Sequence, residues 1–393
     1  MQPRPGSVKD LDPLQTIFCK EKIMKFCFLG NISPALKGKT QGGAELQIAL
    51  LAKALAGKGH DVVIIDPSSP ESFVTPEGIR LINIPEWNKG LRGIRLFLYR
   101  IPALKKALTD QNADYYYARM RTYFHYLSYK VARKLKRKFI LAIAHDIDVL
   151  SIRRKLKYKY SNNFNVFSFI TLQLPNDLVF HYLIKRADYI TIQHSGQKID
   201  CYPLRGKVVL FPNIIDDSDF PVIENPSKDY YIHVGTLTII KGISNLYELV
   251  NMLDKNNPIV IVGTAGDSKS KKILGKIAEN KNVIFKGSLS HSETIKWIAN
   301  SKALINTSNY EGFPNIFLEA WATGVPVISL NVNPGDVFNR YELGACCNGD
   351  MNKMKDHIES GDIVNIDKKK LIAYVAAVHG FATAADRFLD FLN

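Results

Sequence analysis

Glu311 and Glu319 lie in the run NYEGFPNIFLEAWATGVPVIS (309–329), the segment of this sequence with the clearest chemical content. Gly312 and Pro314 between them bar a continuous helix. Glu311 therefore falls in a loop after the apolar strand Ala303–Asn306. A helix is expected to start near Pro314, a favoured first-turn residue, and to stop at Gly324, which puts Glu319 early in that helix. Free backbone N–H groups around Phe313, Asn315 and Ile316 would make an anion site at its N-terminus. Two carboxylates flanking an anion site suit a ligand with hydroxyls on both sides of a diphosphate, which describes a nucleotide sugar.

Other candidates are weaker on their own. His145 ends the apolar stretch FILAIA, at a cleft edge if that strand belongs to a parallel sheet. Asp146 and Asp148 follow it, and Asp217 and Asp219 make a second Asp-x-Asp match. Short acid pairs arise often by chance, and both are read as metal-free. Neither a Ser-His-Asp order with a nucleophile elbow, nor HExxH, nor a Walker A loop is present. A glycoside hydrolase would also use two carboxylates, but it would not need a helix N-terminus aimed at a diphosphate.

These residues must be held by alternating strands and helices. Lys25–Gly30 and Asp61–Ile65 read as strands, with helical periodicity over Ala44–Ala56 between them. The alternation continues through Ile79–Ile84, Asp114–Ala118, Phe139–Ala144, Asp188–Gln193 and Val208–Leu210. Helices are expected near Arg92–Leu108, Tyr123–Leu135 and Asn176–Arg186. The segment 212–230 carries three prolines and five acids, as an interdomain linker would. A second series follows: Tyr230–Val234, Ile259–Val262, Val283–Phe285, Ala303–Asn306 and Val325–Ser329, with helices between them and a helical stretch over Lys368–Leu392. Strands alternating with helices predict parallel βαβ units, and ligands in such folds sit beyond the carboxyl ends of the strands. The expected organisation is an extension over 1–23, a first Rossmann-like domain over 24–212 and a second over 213–375.

The run E-G-F-P-x-x-x-x-E-A-x-A-x-G-x-P-V-I resembles the signature of glycosyltransferase family 4, retaining enzymes of the GT-B fold. QGGAELQIALLAKALAGKGHDVVII is similar to that family's first loop, helix and second strand. VVLFPNIID resembles its interdomain segment, with Ile214 where Gly is usual. YIHVGTLTIIKG resembles its V-G-R-L-x-x-x-K-G, and NVIFKGSLS the strand and turn near the nucleotide base. The resemblance implies two doubly wound α/β domains facing a cleft, with helix 376–393 crossing back to the first.

It also implies roles. Glu311 would bind hydroxyls of the donor sugar and Glu319 the ribose hydroxyls. Lys241 would hold the diphosphate, where a full positive charge meets the charge that grows on the leaving group. His145 would sit beside the donor sugar near the reacting carbon. Gly42 and Gly43 would let the first loop approach the diphosphate or acceptor. Gly235, Thr236, Gly312, Phe313, Pro314, Asn315 and Ile316 would complete the donor site. Thr236 stands where the family commonly has arginine, so diphosphate binding is expected to lean on Lys241, backbone amides or a basic residue elsewhere. No cofactor and no metal are implied; the donor would be a UDP- or GDP-sugar. The alternatives are a non-catalytic nucleotide-binding or membrane-docking protein with this fold, and a GT-B sugar-nucleotide epimerase.

The net charge of +15 is uneven: residues 1–212 hold 34 Lys+Arg against 16 Asp+Glu, and 213–393 hold 18 against 21. A strongly basic half points to a large anionic partner. Residues 89–108 contain six basic residues and no acid, among Leu91, Ile94, Leu96, Phe97, Leu98, Ile101 and Leu104, with Pro102 kinking or splitting the helix. Residues 130–159 hold eleven Lys+Arg against two acids. Basic amphipathic segments of this kind suit anionic lipid headgroups, so Lys89–Lys106 and Lys130–Lys159 are expected to meet an anionic membrane surface, and the family resemblance implies a glycan or polyprenyl-linked acceptor. Tyr115–Tyr117 with Arg119 and Arg121 superficially resembles a nucleic-acid stacking platform. No nucleic-acid module accompanies it, and that partner is not expected.

The 393 residues suffice for two domains, and 46% apolar with 23% charged residues is ordinary for a packed chain. The five cysteines form no Cys-x-x-Cys pair, and no stretch reaches the roughly 18 apolar residues of a membrane span. With no apolar signal region over Met1–Lys25, the expectation is a reduced, cytoplasmic chain, peripheral to the membrane's cytoplasmic face.

Overall fold

The computed structural model describes residues 22–392 apart from 39–41, 92–93, 151–168, 198, 200–202, 217–219, 221–226, 228 and 255. Its strands form two sheets, each the centre of a Rossmann-like α/β domain. The first contains β1 (Lys25–Leu29), β2 (Asp61–Ile65), β3 (Phe73–Val74), β4 (Arg80–Ile82), β5 (Tyr115–Ala118), β6 (Lys138–Ala142), β7 (Tyr189–Ile192) and β8 (Lys207–Leu210). They lie in the order β3-β4-β2-β1-β5-β6-β7-β8. Only the short β3 runs antiparallel to its neighbour. The second contains β9 (Tyr231–Val234), β10 (Ile259–Val262), β11 (Val283–Gly287), β12 (Leu304–Asn306), β13 (Val327–Ser329) and β14 (Gly344–Cys346), in the order β11-β10-β9-β12-β13-β14.

Alternation of side chains explains why both faces of each sheet are covered. Phe26 and Phe28 of β1 enter one core, while Cys27 and Leu29 enter the core on the opposite face. In the second sheet Ile232, Val260 and Val262 pack on one side; Tyr231, Ile259 and Ile261 pack on the other. Near-continuous apolar strands buried on both faces are what a parallel sheet requires.

Strand order reverses between β1 and β5 in the first sheet and between β9 and β12 in the second. A crevice opens outside the carboxyl ends of the strands at such reversals. Both crevices face the same interdomain cleft, so loops from both domains line one cavity.

The Arg92–Leu108 helix, expected to kink or split at Pro102, and the Lys368–Leu392 stretch, expected to be helical throughout, are both divided. The Arg92–Leu108 region has a π-helical turn over Leu96–Arg100 and an α-helix over Ile101–Gln111. Pro102 sits at the junction of the two, and its missing N–H interrupts the helical hydrogen bonding there. A second π-helical turn, Phe169–Gln173, precedes the helix Leu174–Ile184. The Lys368–Leu392 stretch breaks at Gly380 into Lys368–His379 and Ala384–Asp390. Leu371, Tyr374 and Val375 of the first piece belong to a core of the second domain. Ala384 and Phe388 of the second piece, with Phe391 and Leu392 just after it, belong to a core of the first domain. The Phe388 ring meets those of Phe26, Tyr117 and Phe211 there. At the crossing Ile215 bridges Gly380, so the two connecting segments run side by side.

Tyr116 and Tyr117 are wholly buried in β5, which removes them from any stacking surface. Of the basic segments, residues 92–93 and Arg153–Lys159 lie outside the described residues, as do Asp217 and Asp219.

Candidate active site in the interdomain cleft

The cleft encloses a cavity of about 820 Å³, lined by residues of both domains. Glycines shape its floor. Gly235 leaves β9 at φ +148°, and a Cβ on Gly263 would stand 1.9 Å from the Gly235 carbonyl oxygen. Gly242 adopts φ +72°, and a Cβ there would come 1.8 Å from the carbonyl oxygen of Thr307. Only glycine allows these approaches. The approach of Gly242 to Thr307 presses the loop after β12 against the loop after β9, where Lys241 meets Glu311. Lys241 Nζ lies 2.5 and 2.6 Å from the two carboxylate oxygens of Glu311. Ser308 Oγ donates to the same carboxylate at 3.0 Å. Glu311 is mostly buried, whereas Lys241 keeps an open face toward the cavity.

The expected helix spans Asn315–Ala322, preceded by Pro314 and followed by Gly324 at φ +73°. The backbone of Asn315 and Ile316 heads the helix at the cavity wall. Phe313 differs from the expectation of a free amide: its N–H donates to Gln193 Oε1 at 2.8 Å. Its buried ring packs on His379 and Trp321. Phe313 therefore joins the domains and offers no amide to an anion. Glu319 follows one turn into the helix, with His291 Nε2 3.4 Å from Oε1.

The first domain contributes Gly42, Gly43 and His145. Gly42 precedes the helix Gly43–Gly57, and the Gly43 carbonyl accepts from Asn315 Nδ2 at 3.4 Å. His145 Nδ1 accepts the Ile147 N–H at 3.2 Å, so a neutral ring carries its proton on Nε2. The neighbouring acids have protein partners: Asp148 pairs with Arg121 at 2.8 Å, and Asp146 with His194 at 3.0 Å. Among the described residues no group of three His, Cys, Asp or Glu side chains has the arrangement of a metal site. Gly235, Thr236, Gly312 and Pro314 also line the cavity.

A buried polar network closes the seam, and sequence reasoning did not assign it. Asn213 Nδ2 donates to the Phe313 carbonyl and to Asn315 Oδ1, both at 2.9 Å. Its Oδ1 accepts from Gln193 Nε2 at 3.0 Å and from Arg119 at 2.6 Å. Gln47 exchanges two bonds with the backbone of Ile214, at 2.6 and 2.7 Å. The one available signal was Gln47, a polar residue on the apolar side of a helix otherwise rich in Leu, Ile and Ala. His233 on β9 also lines the cavity; burial pushes its pKa down to about 4, and its Nδ1 donates to the Ile305 carbonyl at 3.1 Å.

Two family models match the chain: "Glycosyl transferases group 1" over residues 215–360 and "Glycosyltransferase Family 4" over residues 41–194. Glycogen synthase of Mycobacterium tuberculosis is 24% identical over 343 residues, covering 78% of each chain. An uncharacterised glycosyltransferase of Methanocaldococcus jannaschii is 26% identical over 178 residues, 40% of this chain and 43% of that protein's length. Among solved structures, sucrose-phosphate synthase of Thermosynechococcus elongatus superposes with a TM-score of 0.73 at 16% identity, covering 94% of this chain and 98% of its own. HepE of Anabaena, solved in complex with UDP-glucose, superposes with a TM-score of 0.66 at 16% identity, covering 94% and 99%.

Proposed function

The chain belongs to the family 4 glycosyltransferases, with the GT-B fold and a nucleotide sugar as donor, and on that premise we propose a more specific reaction. It is a retaining, metal-independent transfer of a hexosyl or related sugar from a UDP- or GDP-sugar to a glycan or polyprenyl-linked acceptor, in surface polysaccharide biosynthesis. The observation that carries this reading is the pairing of Lys241 with Glu311 at the head of the helix Asn315–Ala322, with Glu319 one turn further on.

An ammonium held by a mostly buried carboxylate is fixed in position before the donor arrives, so little reorganisation is needed to neutralise a diphosphate. Lys241 keeps an N–H for the phosphates beyond its bonds to Glu311, and the remaining lone pairs of Glu311 accept hydrogen bonds from sugar hydroxyls. Glu319, steadied by His291, accepts from ribose hydroxyls. The amides of Asn315 and Ile316 and the positive end of their helix meet the phosphate charge. His145, with its proton on Nε2, donates to a sugar hydroxyl near the reacting carbon. In a front-face displacement the departing phosphate takes the acceptor's proton, and neither glutamate acts as a nucleophile. The bond from the anomeric carbon to the diphosphate oxygen breaks as the bond to the acceptor oxygen forms on the same face.

Membrane docking belongs to the same proposal. Leu91, Ile94, Phe97 and Leu98 are each more than half exposed, beside Lys89, Arg95 and Arg100. No helix among the described residues is long and apolar enough to cross a bilayer. The exposed apolar side chains would enter the headgroup layer of an anionic cytoplasmic face, with each nearby basic residue contributing on the order of 1 kcal/mol.

The test is thermal stabilisation by UDP, GDP, ADP, CMP and their sugar conjugates in EDTA, together with transfer rates. Lys241→Ala and Glu311→Ala should keep the fold and lower turnover by about 10²-fold or more. Wild-type turnover in either variant would sink the site assignment.

A further inference from the structure

Arg119 is the first residue after β5, beside the strand reversal of the first sheet, and it is only 3% exposed. A guanidinium stays protonated at any working pH and offers five N–H donors in a planar fork. Burying such a charge without a counter-ion forfeits its hydration, so buried arginines are normally paired. Among the described residues Arg119 has no carboxylate partner. Among those residues its guanidinium is seen to bond Asn213, from Nη2 to Oδ1 at 2.6 Å, and its buried Nε–H has no acceptor.

The other cations on the cavity wall differ. Lys241 is held by Glu311, and Lys53 Nζ lies 3.4 Å from Glu77. The seam alone does not explain an arginine either, because Asn213 Oδ1 already accepts from Gln193. A neutral amide at position 119 would complete that network without burying a charge.

We propose that Arg119 is an anion-recognising residue of the cleft, whose guanidinium takes up phosphoryl oxygens of a bound substrate. This rests on the transferase reading and deepens it. Unspent donors of a planar fork match two oxygens of one phosphate, and low-polarity surroundings strengthen each bond. The charge is carried by the first domain and linked through Asn213 to Phe313 and Asn315 of the second. Phosphate recognition is thereby tied to domain closure. The phosphate belongs either to the nucleoside diphosphate of the donor or to a phosphorylated acceptor.

Wild type, Arg119→Gln, Arg119→Lys and Lys241→Ala are compared by thermal shift and by titration with UDP, GDP, uridine and guanosine. Inorganic phosphate is then titrated with the nucleoside diphosphate held at saturation. If the phosphate is the donor's, Arg119→Gln loses affinity for UDP or GDP by about tenfold or more while its nucleoside response is unchanged. If it is the acceptor's, the diphosphate response is retained and the additional phosphate response is lost. Arg119→Lys keeps the charge but not the fork and falls between the two; it also serves if Arg119→Gln does not fold. Equal responses of wild type and both Arg119 variants to every probe, or no phosphate-dependent response in any of them, overturn the inference. Nucleotide responses lost in Lys241→Ala but intact in the Arg119 variants leave the transferase reading standing. A phosphate response lost in Arg119→Gln, with no nucleotide response in wild type, does the reverse.

Discussion

Gly312 packs tightly against the first domain, and Gly312→Ala should force the two domains apart. A Cβ at this position would stand 2.3 Å from Gln193 Oε1, 2.7 Å from the Ala144 carbonyl oxygen and 3.2 Å from His145 Cα. Two of these neighbours are backbone atoms next to a buried strand and cannot swing away as a flexible side chain would. Overpacking of this kind costs about 1–3 kcal/mol. Moving the loop to relieve it breaks the Phe313 N–H bond to Gln193 and strains the two Asn213 bonds behind it, each worth about 1 kcal/mol net. The seam therefore loses roughly 2–5 kcal/mol. A displacement of about 1 Å in the loop bearing Glu311 is enough to cost on the order of 10²-fold in rate. Transfer should fall by that factor while the two domains stay folded, read as retained secondary structure with a larger radius of gyration in X-ray scattering. Gly57→Ala is the matched control: it lies in a helix with nothing within 4 Å of the added Cβ, and it should be neutral or stabilising by about 0.5–1 kcal/mol. Wild-type turnover and compactness in Gly312→Ala would refute the close approach.

Three buried histidines, His125, His233 and His379, have pKa values lowered from 6.5 to about 4, chiefly by desolvation. Between these values the unfolded chain binds more protons than the fold, so stability should be level above about pH 7. It should decline toward pH 4 by up to about 1.4 kcal/mol per unit for each histidine. Urea midpoints unchanged between pH 7 and pH 5 would contradict this. Phe388→Ala should lower unfolding free energy by about 3–5 kcal/mol, because the ring is fully buried among Phe26, Tyr117 and Phe211. A midpoint within experimental error of wild type would mean the segment does not seal that core.

Strand positions were legible because a parallel sheet buried on both faces needs short apolar runs, and Asp61–Ile65 and Ile259–Val262 match residue for residue. The stop at Gly324 was legible for a local reason, a left-handed residue after a helix. The π-helical turn over Leu96–Arg100 was not, because none of its side chains is buried and no apolar phase marks where a residue has been added. Strand β14 was missed because Gly344–Cys346 is short and half-buried. Asn213, Gln193 and Arg119 acquire their importance from contacts across more than one domain, which no local pattern records. For the same reason Phe313 read as a free amide, although its partner lies 120 residues away.

The crossing at Gly380 makes the second domain an insertion within the first. During synthesis the strands β1–β8 leave the ribosome before the residues that cover Phe26, Tyr117 and Phe211 have been made. The nascent first domain must wait, with an aromatic notch facing solvent, until nearly the whole second domain has been translated. Its completion is thus coupled to that of its neighbour, and a chain truncated within the second domain should expose this notch and aggregate more readily than the whole chain.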